Sequence, residues 1–546
     1  MADRIQSYKV ISAGGLNSNE NHLDLAENAP GSATRLVNYE ASLFGGYRRV
    51  SGFMPLDSAS EFVPGEGRVL CVALYTDPTY GKEVILAARK DVGTDTYSFY
   101  RHVAYSGWVP YSTGVTRATS ANSGLNVVKK IRFTTFNFGF GNHICFVDGV
   151  NPPIVYDGST WRELTPSAAG GVSAPGGNQL LSTPSFVDVF ENHLFFTGDK
   201  TYAAVICHSA PQDPYTFTAA AGGGQINTGF DVINFKPFRE NLFVFGTNSI
   251  KRISTDLTAG FVIDQVTANV GCIAADSVLE IGGDLVFLAP DGIRPVAGTS
   301  RIGDVELETI SKSIQSLLID LPVDYDLDTV LSGVVVRTKS QLRYFVGDDS
   351  INVSDSKGVV GGLRTADQQL GWEFGELLGI RASCAVSGYI GRTEYVLHGD
   401  YNGGVYRQEQ GEDFNGDGII GIYSTPYFDF GDTEVRKILR KVNTFIRSEG
   451  PLEMNISVSY DWDDTKTAKP PSYVQSSTGA PVIYAGRNVN YAGTNIRYGG
   501  NEKPIMSTDI QGSGYAVKVT YVTLGLGNAS HSIQGMVFEF SVAGRN

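Results

Sequence analysis

The sequence predicts an all-β protein: a β-propeller of about seven blades followed by a β-sandwich-like platform domain that also takes in the N-terminal arm. The first observation behind this is a hairpin theme, an apolar run closing on a Gly or Asp turn, that recurs between residues 80 and 405. Its copies are Glu83-Val84-Ile85-Leu86-Ala87, His143-Ile144-Cys145-Phe146-Val147-Asp148-Gly149, His193-Leu194-Phe195-Phe196-Thr197-Gly198-Asp199, Asn241-Leu242-Phe243-Val244-Phe245-Gly246, Asp284-Leu285-Val286-Phe287-Leu288-Ala289, Leu342-Arg343-Tyr344-Phe345-Val346-Gly347-Asp348 and Glu394-Tyr395-Val396-Leu397-His398-Gly399-Asp400. They lie roughly 40 to 60 residues apart, the period of propeller blades, although six or eight blades also fit so irregular a spacing. A continuous apolar strand suits a sheet packed on both faces. The second observation is composition: 64 glycines, 11% aromatics and only 5 methionines favour strands and tight turns over helices. The third is that one segment alone carries a convincing helical period.

Taken in order, residues 1–60 form a Gly- and Asn-rich arm with no helical period and too little apolar content to fold alone, so it must dock elsewhere, on the platform. Residues 61–410 carry the hairpin theme. Within them Leu307, Ile310, Ile314, Leu317 and Leu318 fall at helical spacing behind Asp304 as N-cap, predicting an inserted helix near 304–319 that covers a blade edge or a neighbouring subunit. Residues 411–546 read as the platform, with strands at 442–446, 452–460, 515–524 and 532–542; Met454, Ile456, Val458 and Tyr460 alternate clearly. Between them, residues 484–500 repeat a Tyr, small, Gly pattern headed by Tyr484, Tyr491 and Tyr498, which predicts a protruding loop. Its tyrosines either pack on one another or contact another subunit, where they are candidates to line and gate a channel.

The net charge of −14 argues against a sequence-specific partner in free double-stranded nucleic acid, which needs a concentrated basic surface. Cys71, Cys145, Cys207, Cys272 and Cys384 stand singly, so reduced, buried thiols are expected rather than a zinc site or a disulfide framework. Met1-Ala2-Asp3-Arg4 opens into polar sequence, and no apolar run reaches the length of a membrane span; synthesis and folding in a cytoplasm are expected.

Asp413-Phe414-Asn415-Gly416-Asp417-Gly418-Ile419 matches the first half of a calcium loop, with Asp413, Asn415 and Asp417 as oxygen ligands. Ser424 stands where the bidentate Glu belongs, so Asp429 or Asp432 would have to supply the carboxylate, and an Asx-rich turn accounts for the segment equally well. No other cofactor is implied. Tyr156-Asp157-Gly158-Ser159-Thr160-Trp161 resembles the Asp-box turn of sialidase-type propellers but is one residue short, and a hairpin turn closing on a packed Trp is the favoured reading. The seven histidines lack metal spacing or a nucleophile elbow, and His143 and His193 occupy equivalent strand starts. No carboxylate pair for glycoside hydrolysis can be assembled from sequence, and no phosphate-binding glycine loop is present. The chain is therefore expected not to be an enzyme. In the cluster Arg436, Lys437, Arg440 and Lys441, alternate residues of a strand face opposite ways, so pairing with acidic neighbours outweighs nucleic-acid contact, and these cations are candidate assembly contacts.

The arm from Gly14-Gly15-Leu16 through Ala33-Thr34-Arg35-Leu36-Val37-Asn38 to Gly46-Tyr47-Arg48-Arg49-Val50-Ser51-Gly52-Phe53, and Ser424-Thr425-Pro426-Tyr427-Phe428-Asp429-Phe430-Gly431-Asp432 followed by Arg436-Lys437 and Tyr460-Asp461-Trp462, resemble the virion nozzle proteins of short-tailed bacteriophages. The resemblance implies a structural virion protein, a tail nozzle subunit whose arm and C-terminal region form the platform with the propeller at its side. It further implies a homo-oligomeric ring, usually of six, below the adaptor and portal proteins and above a tail fibre or a needle or plug protein. Genomic DNA would pass through the lumen during ejection without sequence-specific binding. The alternative from another class is a glycan-binding or glycan-degrading propeller acting in host-receptor recognition; a propeller scaffold for protein partners is a third.

Overall fold

The structure, a computed structural model, describes residues 5–57, 62–111, 116–121, 126–165, 179–256, 260–296, 309–347, 356–366, 369–464, 467, 469–477 and 504–543. It is an all-β protein containing a β-propeller. Seven antiparallel sheets succeed one another, with first strands Glu66–Asp77, Arg132–Phe136, Phe186–Phe190, Asn234–Phe238, Leu279–Ile281, Leu331–Val336 and Ala382–Ile390 ringing a central channel. The ring closes where the last of these strands packs on the first.

Each of the seven apolar runs is the second strand of its sheet, not the innermost one. Neighbouring sheets cover both faces of a second strand, and His143–Val147 and Gln341–Val346 are buried at every position. The number of full blades is six, which corrects the expected seven: the unit 279–295 has three strands, and no fourth pairs with it among the described residues.

The last blade is completed from the other end of the chain. Phe53–Pro55 lies antiparallel to Val405–Gln408, with Gln408 opposite Phe53 and Tyr406 opposite Pro55. Phe53 stacks on Phe414 at 5.1 Å and meets His398 edge-on at 4.8 Å, so one aromatic residue fixes the closing strand. The rest of the arm is equally embedded. Gln6–Ile11 pairs along its whole length with His531–Val542; further along the same edge that strand receives the hairpin Tyr39–Ala41 and Tyr47–Arg49, while Lys437–Ser448 takes the opposite edge. Arg35–Val37 joins Gln369–Glu376, the outer strand of the sixth sheet, to Gly421–Ser424 of the platform. The arm also holds a short helix, His22–Asn28, which its sequence does not signal; Asn21 caps it by accepting the Leu23 N–H at 3.1 Å.

Because Arg35–Val37 bridges those strands, a single nine-stranded sheet runs from the sixth propeller sheet into the platform. Its platform half faces a second sheet built on His531–Val542 and Lys437–Ser448. Met454, Ile456, Val458, Tyr521, Met536 and Phe538 fill the space between, all of them buried.

The inserted helix differs from expectation. Asp304 and Leu307 lie outside the described residues, and the helical chain is three short pieces, Gln315–Ile319, Leu321–Asp324 and Leu327–Val330, preceded by a 3-10 turn. The backbone turns extended at Tyr325, which separates the second piece from the third. Ile314, Leu318, Leu321, Leu327 and Val330 pack into the same core as the platform.

Candidate functional site

The inner strands bring charged side chains from different sheets into the propeller channel. Asp276, just ahead of the fifth sheet, accepts a bidentate pair from one edge of the Arg132 guanidinium, Nε at 2.8 Å and Nη2 at 2.9 Å, and a bond from Lys130 Nζ at 2.9 Å. Lys130 also donates to Ser332 Oγ at 3.3 Å and to the Leu331 carbonyl. One strand further round, Lys236 Nζ donates to Asp188 Oδ2 at 2.6 Å, and Thr134 Oγ1 to Asp188 Oδ1 at 3.2 Å. Arg132 lies over the Phe186 ring at 4.2 Å, which fixes the plane of its fork. Cys71 and Cys384 line the same cavity, of about 240 Å³.

Burial works against the charge on Asp276, but Arg132 and Lys130 overcome it and hold the carboxyl well below its ordinary range. Burial lowers Lys130, with Asp276 opposing, while Asp188 raises Lys236 against the cost of its burial. An aspartate locked ionised between two cations is poorly suited to deliver a proton as a general acid. The arrangement is a charge-compensated seam tying five propeller sheets together across the channel. Sequence reading missed these residues because it followed the apolar second strands. The signal available was the alternation Lys130-Ile131-Arg132-Phe133-Thr134, which places polar groups on one face of an inner strand.

A second concentration of charge lies in a cleft of about 700 Å³ between the first and last blades, lined by Lys82, Arg101, His102, Tyr395 and Arg407 over an apolar floor that includes Leu56 and Ile85.

Asp413, Asn415 and Asp417, the calcium-loop candidates, lie in the Asx-rich turn that the sequence offered as the equal account. Asp413–Phe414 and Asp417–Gly418 are paired strands of a two-residue hairpin, with Asn415 at φ 53 and Gly416 at φ 96. Asp413 Oδ1 accepts the Gly416 N–H at 2.7 Å, so this carboxylate closes the turn. No group of three or more His, Cys, Asp or Glu placed to hold a metal occurs among the described residues. The candidate assembly cations all bind within the platform: Arg436 donates to Ser513 Oγ at 3.0 Å, Lys437 to the Tyr515 carbonyl at 3.1 Å, Arg440 to Ser541 Oγ at 3.1 Å, and Lys441 lies 3.5 Å from Asp509. A bulge at Arg440 shifts the register, so that Leu439 and Val442 both point into the core. Tyr484, Tyr491 and Tyr498 lie outside the described residues.

At the Asp157 turn, Oδ1 accepts the N–H groups of Ser159 at 2.8 Å and Thr160 at 2.7 Å, while Trp161 packs on Tyr156 at 4.7 Å and Phe99 at 5.0 Å. That is the expected hairpin closure. His143 and His193 direct Nδ1 at the carbonyl oxygens of Gly141 and Ser209, at 2.8 and 2.6 Å.

No protein-family model matches the chain. No curated protein matches it either. Among solved structures it is similar to the extracellular domain of a hybrid two-component system from B. thetaiotaomicron (TM-score 0.38, 10% identity, 66% of this chain and 42% of that one). It is also similar to an ancestral GH74 enzyme (TM-score 0.37, 10% identity, 69% and 50%). A third is the exo-β-1,3-galactanase of Phanerochaete chrysosporium (TM-score 0.25, 10% identity, 90% and 100%). The chain thus spans half or less of the length of the first two. The expectation that the chain is not an enzyme is withdrawn, since a propeller fold hosts many chemistries and gives no ground for excluding catalysis.

Proposed function

We propose that the chain is a nozzle subunit of a short bacteriophage tail, forming a ring-shaped conduit for DNA below the portal and adaptor. The supporting observation is the path of the arm, which is a strand in both platform sheets and also the closing strand of the propeller. Arm, propeller and platform are thereby joined by continuous strand pairing, which suits a subunit of a closed ring. The acidic chain fits a conduit, since a weakly acidic lumen lets the polyanion slide where phosphate-binding cations would hold it. Sedimentation and negative-stain imaging of the purified protein test this: a hollow, cyclically closed ring is expected, of about six copies as the resemblance implies, and a monomer at micromolar concentration would overturn it.

A second reading, glycan binding or degradation in host-receptor recognition, is favoured by the cation- and tyrosine-lined cleft between the first and last blades. A receptor-binding protein would bind saccharide without forming a hollow ring.

A further inference from the structure

In a chain of net charge −14, the cleft between the first and last blades brings together three cations that have no carboxylate partner among the described residues. Among the described residues Arg101 and Arg407 make no ion pair; each guanidinium instead lies over a tyrosine ring, Arg101 at 3.9 Å from the centroid of Tyr80 and Arg407 at 3.7 Å from that of Tyr395. Lys82 makes none either, and Glu83 is the one carboxylate among the described residues of the lining. His102 lines the same cleft, and its buried Nε2 has no hydrogen-bond partner; the nearest carboxylate oxygen, Asp57 Oδ2, is 3.8 Å away. Apart from Gln410, the remaining lining is apolar and includes Met54, Leu56, Val84, Ile85 and Ile390.

A guanidinium stacked flat on an aromatic ring keeps its N–H edge free, and that edge matches a planar carboxylate through two parallel hydrogen bonds. Stacking also fixes the side chain in advance, so less rotamer entropy is lost when a ligand binds. The cleft is a pocket rather than a basic stripe, which favours a compact anionic ring over a phosphodiester backbone that needs cations along its path. The apolar floor suits the C–H face of a sugar.

We propose that this cleft binds a carboxylated sugar, with Arg101 and Arg407 taking the carboxylate and the floor formed by Met54, Leu56 and Ile85 taking the ring. The proposal deepens the glycan reading and does not depend on the chain forming a ring.

The test is calorimetric titration of the full-length protein with trigalacturonate, its methyl ester, inorganic phosphate and a hexathymidylate. Saturable binding of trigalacturonate is expected, with the neutral ester at least about tenfold weaker because hydrogen bonds between charged groups are lost. Arg407→Lys keeps the charge but loses the fork, and should weaken binding by about tenfold without changing melting temperature. Arg101→Ala should do at least as much. Equal binding of ester and acid, no binding of trigalacturonate, an Arg407→Lys variant that binds as the parent does, or phosphate or hexathymidylate binding as tightly would each overturn the proposal. Ring formation, read separately by sedimentation, bears on the nozzle reading alone.

Discussion

Glu40 shows how much one side chain can join. Its carboxylate is 2% exposed and contacts Arg343 at 3.1 Å, Lys339 at 2.6 Å and Arg48 at 3.4 Å, while Glu409 contacts the same Arg343 and Lys339, and Arg48 reaches Glu449 at 2.9 Å. Three cations and three carboxylates from the arm, two propeller sheets and the platform thus balance at one junction. Removing one carboxylate leaves a buried guanidinium undercompensated, so Glu40→Gln should lower stability by about 3–5 kcal/mol in urea unfolding. The buried histidines set a pH dependence. Burial pushes both His398 and His531 down to about 3, with Arg49 adding to the effect at His531. Their folded values lie below the unfolded value near 6.5, so the unfolded chain binds more protons as the pH drops. Stability is full above about pH 6.5 and should fall toward pH 3 by up to about 1.4 kcal/mol per pH unit for each histidine. Below about pH 4.5 the loss should steepen, because Lys339 and Arg343 overcome the burial of Glu409 and hold it below the ordinary range. Urea midpoints measured from pH 7 to 4 check this; a flat profile between 6.5 and 5 would contradict the histidine contribution.

At the scale of elements, the closing strand and the hairpin beside it form one construction. A Cβ on Gly52 would lie 1.9 Å from the Asp413 carbonyl oxygen, so the arm can enter beside the 413–418 hairpin only with a glycine there. Gly416 presents the opposite case: a Cβ would meet nothing within 4 Å, but its φ of 96° lies in the left-handed region. Gly416→Ala should therefore cost about 1–2 kcal/mol from backbone conformation alone. Gly52→Ala requires backbone displacement at the propeller closure and should cost more, about 1–3 kcal/mol from overpacking with lost strand pairing in addition. Urea denaturation of both variants decides it; a smaller effect at Gly52 would contradict the closure described.

For the whole molecule, the nine-stranded sheet means that propeller and platform share backbone hydrogen bonds rather than a flexible joint. Calorimetry should show one cooperative transition, with calorimetric and van't Hoff enthalpies in agreement, instead of two separable ones. Removing residues 1–57 should do more than prevent assembly. It takes away the closing strand of the last blade and the bridge between the sheets, so loss of cooperative melting is expected; a truncated chain that melts as sharply as the parent would refute that role.

The sequence by itself determined the strands that need no distant partner to be recognised. Second strands such as 143–147 and 342–346 are covered on both faces, so their apolar runs are continuous and visible in one dimension. The alternation of Met454, Ile456 and Val458 was legible for a similar reason, since one face of that strand meets the core. The arm was legible only as a segment unable to fold alone, because Arg35–Val37 and Phe53–Pro55 are three residues each and become strands through partners more than 300 residues away. The channel seam of Arg132 and Asp276, the junction of Glu40 with Arg343 and the cleft of Arg101 and Arg407 likewise belong to the tertiary structure. Charges pair by distance in space, and local patterns record which way a side chain faces but not which distant strand will stand opposite it.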